Sequence, residues 1–337
     1  MEFSAETFLP SRALAQLTEL RIQEPGAAMQ AAQARTVRQR LTQDGRLSIL
    51  AADHPARRVT AVGNQPLAMT NRHDYLARIL RVLTSEYVDG VMATMDILED
   101  LLVLDAIVQQ EGGPSALNEK LLIASLNRGG LAGAVWEMND PITGPGPATC
   151  AAWRLDGAKM LLRVCDDEPD SLATMREAAL AISELNRLSL PMFLEPLPVV
   201  KTIDGYKVVK TAEALARLVG VASALGDSSR YLWLKLPYCE GYECVARATT
   251  LPVLLLGGES AGSAEPFLRQ LSAALAAAPN VRGALVGRNI LYPGAADPRA
   301  VADAVGGLIH AGWSIEEGLE AQAARAGRDM DRFARWL

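Results

Sequence analysis

The chain has 337 residues, half of them apolar and 21% charged, with a formal net charge of −6; this balance excludes a disordered chain and suits one large packed fold. Lys and Arg are dispersed rather than gathered into a stripe, which excludes the electrostatic footprint of a nucleic-acid binder and leaves any anionic ligand to be held locally. The N-terminus is acidic early on and has no continuous apolar core, and no apolar run reaches bilayer-spanning length, so a cytoplasmic protein without a membrane partner is expected.

The first 45 residues read as a helical extension with amphipathic pieces at Leu14, Leu17 and Leu20, then at Val37 and Leu41. Eight short, almost wholly apolar runs follow: LSILAAD (47–53), GVMATMD (90–96), KLLIASLN (120–127), AKMLLRV (158–164), LPMFLEPL (190–197), YLWLKLPY (231–238), LPVLLLGG (251–258) and RGALVGRN (282–289). Such runs suit parallel strands buried on both faces, and the stretches between them, 170–187 and 263–279 among them, admit crossover helices. Eight β-then-α units fit a closed α/β (β/α)8 TIM barrel better than a doubly wound sheet, which has fewer strands and a glycine-rich first turn. The expected organisation is a single TIM-barrel domain over 1–337: a helical extension (1–45), the barrel (46–312) and a C-terminal helix (313–337) that docks on its own barrel or on a partner subunit. The Pro/Gly-rich stretch 139–150 is read as a loop after the third strand.

In a barrel, side chains alternate between the interior and the helix layer, and chemistry gathers at the C-terminal strand ends, so polar residues late in apolar runs are informative. The first run ends on Asp53, with His54 next at the mouth. The second offers Thr94 and Asp96, the third Ser125 and Asn127, as hydroxyl-binding groups or as structural ones. In the fourth, Lys159 and Arg163 share the parity opposite Met160, Leu162 and Val164, and the fifth contains Glu195. In the sixth, Leu232, Leu234 and Leu236 suit the helix layer while Tyr231, Trp233 and Lys235 face inward. A buried ammonium escapes its desolvation cost by losing its proton, which leaves an amine able to attack a carbonyl. A lysine that snorkels to the rim or pairs with a carboxylate satisfies the same pattern. Lys159 would lower the pKa of Lys235 further or hold a substrate oxygen, and Asp53 and Glu195 would move protons or serve as counter-ions.

The last two runs end in Gly257 and Gly258, and in Gly287, Arg288 and Asn289. Turns after strands seven and eight are the usual phosphate site of barrels, because glycine lets backbone N–H groups approach the oxygens, and Arg288 adds a planar charged fork. Four cysteines (Cys150, Cys165, Cys239, Cys244) form no C-x-x-C pair, so neither a disulfide framework nor a thiolate zinc site is expected. The three histidines, His54, His73 and His310, are far apart in sequence, which argues against a His-rich metal centre. No metal and no cofactor is expected.

Taken together, AADHP, GAKMLLRV, PMFLEPLP, WLKLPY, ATTLPVLLLGG and GALVGRNI resemble the motifs of the class I aldolase superfamily, which includes deoxyribose-phosphate, archaeal-type fructose-bisphosphate and tagatose-bisphosphate aldolases. The likeness spans about residues 45–310. It implies that Lys235 is the Schiff-base lysine, that Glu195 shuttles protons, that Lys159 and Asp53 are active-site residues, and that Gly257, Gly258, Gly287 and Arg288 bind phosphate. Arg163, Asn127 and His54 are expected to help bind a phosphorylated sugar substrate, and a homo-oligomer is expected. Strand six departs from the commoner pattern in the residues around its lysine. The pattern resembles a bacterial subgroup associated with inositol catabolism, which implies cleavage of 6-phospho-5-dehydro-2-deoxy-gluconate into dihydroxyacetone phosphate and malonate semialdehyde. Other imine chemistry on Lys235, such as transaldol transfer or deamination, and a non-catalytic sugar-phosphate sensor are the alternatives. Neither a P-loop nor a strand-linked G-x-G-x-x-G is present, which argues against a nucleotide-dependent enzyme.

Overall fold

The computed structural model describes residues 3–203, 205–260 and 262–337. Its strands are β1 (Leu47–Ala52), β2 (Gly90–Ala93), β3 (Leu121–Ser125), β4 (Gly157–Val164), β5 (Met192–Thr202), β6 (Gly205–Val208), β7 (Leu232–Pro237), β8 (Val253–Leu256) and β9 (Val281–Val286). All except β6 pair in parallel in the order β4-β3-β2-β1-β9-β8-β7-β5, and a β4–β5 ladder closes the ring. The result is the eight-stranded TIM barrel that the eight apolar runs predict.

Side-chain alternation divides the apolar residues between two cores. Leu232, Leu234 and Leu236 join the large cluster under the helices, whereas Leu47, Ile49, Met92, Ile123, Phe193 and Leu285 fill the barrel interior. Trp233 packs on that inner cluster with its ring 6.0 Å from Phe193. Leu41 packs on it too, so the segment between the N-terminal helices and β1 closes the barrel's N-terminal end. Arg35 pins this segment with a 2.9 Å ion pair to Asp156, and Arg38 with a 2.8 Å pair to Asp89. The interior below the strand ends is therefore filled by apolar side chains, and the ionisable residues Lys159, Glu195 and Lys235 lie above them toward the C-terminal mouth.

Several boundaries differ from the sequence reading. The extension folds as helices Ala5–Phe8, Ser11–Gln23 and Ala27–Ala34, so Val37 and Leu41 lie outside any helix. The final helix runs only over Ile315–Arg325; residues 326–336 continue as turns. Gly327 (φ +75°) follows it, a conformation that glycine adopts without steric cost. These turns return to the N-terminus, where Phe333 stacks on Phe8 at 5.3 Å. Buried Arg81 grips Asp297 through two hydrogen bonds and also donates to the carbonyls of Arg328 and Asp329. The C-terminal segment thus docks on its own chain. Among the described residues, no helix is long and apolar enough to cross a membrane.

β5 also runs beyond the barrel and turns into an antiparallel hairpin with β6, which the sequence reading did not anticipate. Leu197, Val199, Tyr206 and Val208 form an apolar wall there beside Leu161 and Leu256.

Candidate active site

A cavity of about 610 Å³ opens at the C-terminal ends of the strands. Its floor carries one inward-facing ionisable residue from each of three neighbouring strands, β4, β5 and β7. Lys159, Glu195 and Lys235 are each less than a tenth exposed, although all are ionisable. Their burial is tolerable only because they neutralise one another. Glu195 Oε2 accepts from Lys159 Nζ at 2.6 Å and from Lys235 Nζ at 3.0 Å. Lys159 Nζ also lies 3.5 Å from Asp53 Oδ2, which accepts a 3.0 Å hydrogen bond from Ser125 Oγ and pairs with Arg128.

Two buried lysines and the largely covered Arg128 thus meet two carboxylates. Burial depresses both ammoniums, Lys159 well below the usual lysine range and Lys235 below it as well, while Glu195 opposes the shift in each. Lys159 has a second carboxylate beside it, Asp53, to hold its proton; among the described residues, Lys235 pairs with Glu195 alone. Loss of the Lys235 proton would leave two cations on two carboxylates, the neutral count that a low-dielectric site favours. Burial works to raise the Glu195 pKa, but the two neighbouring ammoniums win and hold it well below the usual carboxylate range.

His54 stands at the mouth, and its Nδ1 is buried without a hydrogen-bond partner. Burial, reinforced by the positive charges of Arg288, Lys235 and Lys159, lowers its pKa to about 3, so the ring is neutral at physiological pH. Gly287 is required where the ends of β1 and β9 converge, since a Cβ there would lie 2.4 Å from His54 Cε1 and 2.5 Å from the Ala51 carbonyl oxygen. Gly257, Gly258, Gly287 and Arg288 all line the cavity. Gly258 adopts φ +67°, and Asn289 Nδ2 ties the two turns together by donating to the Gly257 carbonyl at 2.6 Å. Arg288 is 3.9 Å from exposed Glu259, and its Nε is buried without an acceptor. The turns after β8 and β9 therefore present a loosely paired guanidinium beside glycine backbone.

Asp53, His54, Lys159, Glu195, Lys235, the three glycines and Arg288 are brought together around one cavity. Asn127 and Arg163, expected to help bind substrate, are not among its lining residues. Asn127 spends its amide on the backbone: Nδ2 donates to the Leu161 and Asp140 carbonyls, and Oδ1 accepts from Leu161 N–H. Arg163 has the inward parity expected of it, but lies near the end of β4, where it pairs with Glu137. Thr94 and Asp96 are not on a strand at all. β2 ends at Ala93, Met95 opens the next helix, and Asp96 pairs with Arg72 in the helix layer while Thr94 Oγ1 donates to it.

Arg57, Arg128, Lys210 and Tyr238 also line the cavity and were not singled out from the sequence. Arg57, Arg128 and Lys210 were out of reach of parity reasoning, because each lies where the chain has left the strand. Arg57 is committed to Asp140 at 2.6 Å and to the carbonyls of Gly130 and Asn127. His73 and His310 lie elsewhere, His310 between Asp44 and Asp89. Among the described residues, no group of three His, Cys, Asp or Glu side chains could hold a metal ion.

A family model described as Cgl0159-like matches residues 45–306. The crystal structure of Cgl0159 from Corynebacterium glutamicum is similar at 35% identity and a TM-score of 0.83, covering 90% of this chain and 98% of that one. An uncharacterized aldolase, SSO3226 of Saccharolobus solfataricus, is 32% identical over 140 residues, 41% of this chain; the match spans about half (48%) of that curated relative. A Schiff-base-forming fructose-1,6-bisphosphate aldolase superposes with a TM-score of 0.58 at 21% identity, covering 84% of this chain and all (100%) of that one, a likeness of fold alone.

Proposed function

From the premise that this chain belongs to the Cgl0159-like family, we propose that it is a metal-independent class I aldolase acting on a phosphorylated ketose-type substrate through an imine on Lys235. The observation that carries this reading is the shared carboxylate: Glu195 Oε2 lies within hydrogen-bond reach of both buried lysines at the C-terminal end of the barrel.

The neutral Nζ of Lys235 attacks the substrate ketone, and the resulting carbinolamine loses water to give a protonated imine. That cation accepts the electron pair of the carbon–carbon bond one carbon removed from it. The hydroxyl on the departing carbon gives up its proton as its oxygen becomes the carbonyl of an aldehyde, and the fragment left on Lys235 is an enamine. Glu195, held as a carboxylate by its two lysines, is placed to take and return these protons. Lys159, paired with Asp53 and Glu195, keeps a positive charge beside the oxygens on which negative charge develops. Arg288 and the glycine turns hold the phosphate, and neutral His54 offers a hydrogen bond at the mouth.

The finer reading of the substrate is 6-phospho-5-dehydro-2-deoxy-gluconate, cleaved to dihydroxyacetone phosphate and malonate semialdehyde. Its ketone, its phosphate and a hydroxyl on the carbon that leaves meet the three demands of the site. Incubation with a panel of ketose phosphates in the presence of a chelator tests the reaction class: identified ketone and aldehyde fragments support it. Intact sugars throughout the panel, or cleavage abolished by the chelator, would contradict it.

A further inference from the structure

The closed ring gives the cavity a direction. Counting either way around it, β3 is the fourth neighbour of β8, so the loop after β3 faces the turn after β8 across the mouth. The arc between them on one side consists of β4, β5 and β7, which carry Lys159, Glu195 and Lys235. A ligand with its phosphate at Gly257, Gly258 and Arg288 and its ketone at Lys235, on the strand next to β8, therefore extends its remaining carbons toward β4 and β3.

Arg128 stands at that far end. It follows β3, lines the cavity and has a side chain about 10% exposed. Among the described residues its close carboxylate is Asp53, which already accepts from Ser125 and faces Lys159. The buried Nε of Arg128 has no hydrogen-bond acceptor. A guanidinium carries five N–H donors in a rigid plane, and a buried donor without an acceptor is costly; an incoming oxyanion meets both demands. Burial lowers the Arg128 pKa only to about 10, so it stays charged at neutral pH.

We infer that Arg128 is a specificity-determining residue that binds an anionic group on the aldehyde fragment, so that the substrate is charged at both ends: a phosphate on the ketone side and a carboxylate or second phosphate on the other. This rests on the aldolase reading above and adds to it the residue that reads the far end. A fixed guanidinium selects a planar or tetrahedral oxyanion and gives a neutral aldehyde nothing comparable.

The test runs the reaction as a condensation, with dihydroxyacetone phosphate as donor and three acceptors: malonate semialdehyde, glyceraldehyde 3-phosphate and uncharged glyceraldehyde. Wild type should favour one of the two anionic acceptors over the neutral one, and which of them it favours identifies the anion. Arg128→Lys keeps the positive charge beside Asp53 and loses the planar fork, so it should raise KM for that acceptor by roughly 10- to 100-fold, the span of a lost charged hydrogen bond, and by a much smaller factor for the neutral acceptor; Arg128→Gln, which also removes a charge that helps depress Lys235, should slow both acceptors and the anionic one more. Borohydride capture of dihydroxyacetone phosphate needs no aldehyde, so it should persist in the charge-conserving Arg128→Lys and show that this variant folds and forms the imine. Capture with equal losses on charged and neutral acceptors, or a wild type without preference for an anion, overturns the assignment. No capture even in wild type defeats the aldolase reading itself, and this inference with it.

Discussion

Glu195 hydrogen-bonds Lys235 and Lys159 through the same oxygen, so its charge sets the protonation of both. Glu195→Gln keeps the shape and removes the titratable group. Turnover should fall by something like 10²–10⁴-fold while part of the imine formation survives; unchanged turnover would make Glu195 a counter-ion only. Arg288 has its one carboxylate 3.9 Å away on an exposed side chain. Arg288→Ala should weaken a phosphorylated ligand by about 1.5–3 kcal/mol and barely affect an unphosphorylated analogue, a difference that titration calorimetry can read. Equal weakening of both would remove the phosphate assignment. Strand parity sufficed to bring Lys159, Glu195 and Lys235 to one interior, because each lies within a regular strand where alternation holds. It could not tell that Arg163 would be drawn to Glu137 and the carbonyl of Gly130, nor that Asn127 would be consumed by backbone groups. Arg128 was invisible to it, since a residue beyond the strand end obeys no period.

The elements themselves were legible where burial on both faces left continuous apolar runs, which is why all eight barrel strands appear close to their expected positions. What failed was punctuation. At the end of the second run the helix begins after Thr94, and the polar pair there belongs to the helix layer. β5 continues past the barrel because its extension pairs with β6, a long-range partner that a local pattern does not declare. In the C-terminal segment the charged, helix-favouring composition of 326–337 is overridden by tertiary packing: Phe333 is 1% exposed against Phe8, and Arg81 collects the carbonyls that precede it. Phe333→Ala should therefore cost about 3–5 kcal/mol of stability, as for other buried Phe deletions, measurable by denaturant unfolding. A cost below about 1 kcal/mol, the size of a typical surface change, would mean that the segment adds little to the fold.

On the scale of the whole molecule, the chain carries a net charge of −6, whereas its cavity is lined by six basic side chains, Arg57, Arg128, Lys159, Lys210, Lys235 and Arg288, against three carboxylates, Asp53, Glu195 and Glu259, an excess that remains when Lys235 is neutral. An anionic ligand is thus attracted locally by a site that the overall charge conceals. Burial above the apolar floor lowers the pKa of both lysines, and this desolvation is what favours an amine free to attack. The proposed chemistry depends on which lysine attacks. Incubation with dihydroxyacetone phosphate, reduction with borohydride and peptide mapping by mass spectrometry decide this directly. The account predicts one adduct, on Lys235 in the peptide containing YLWLKLPY, with loss of activity, and no adduct in Lys235→Arg, whose guanidinium stays protonated and cannot attack. No adduct in wild type, or an adduct on Lys159, would contradict it.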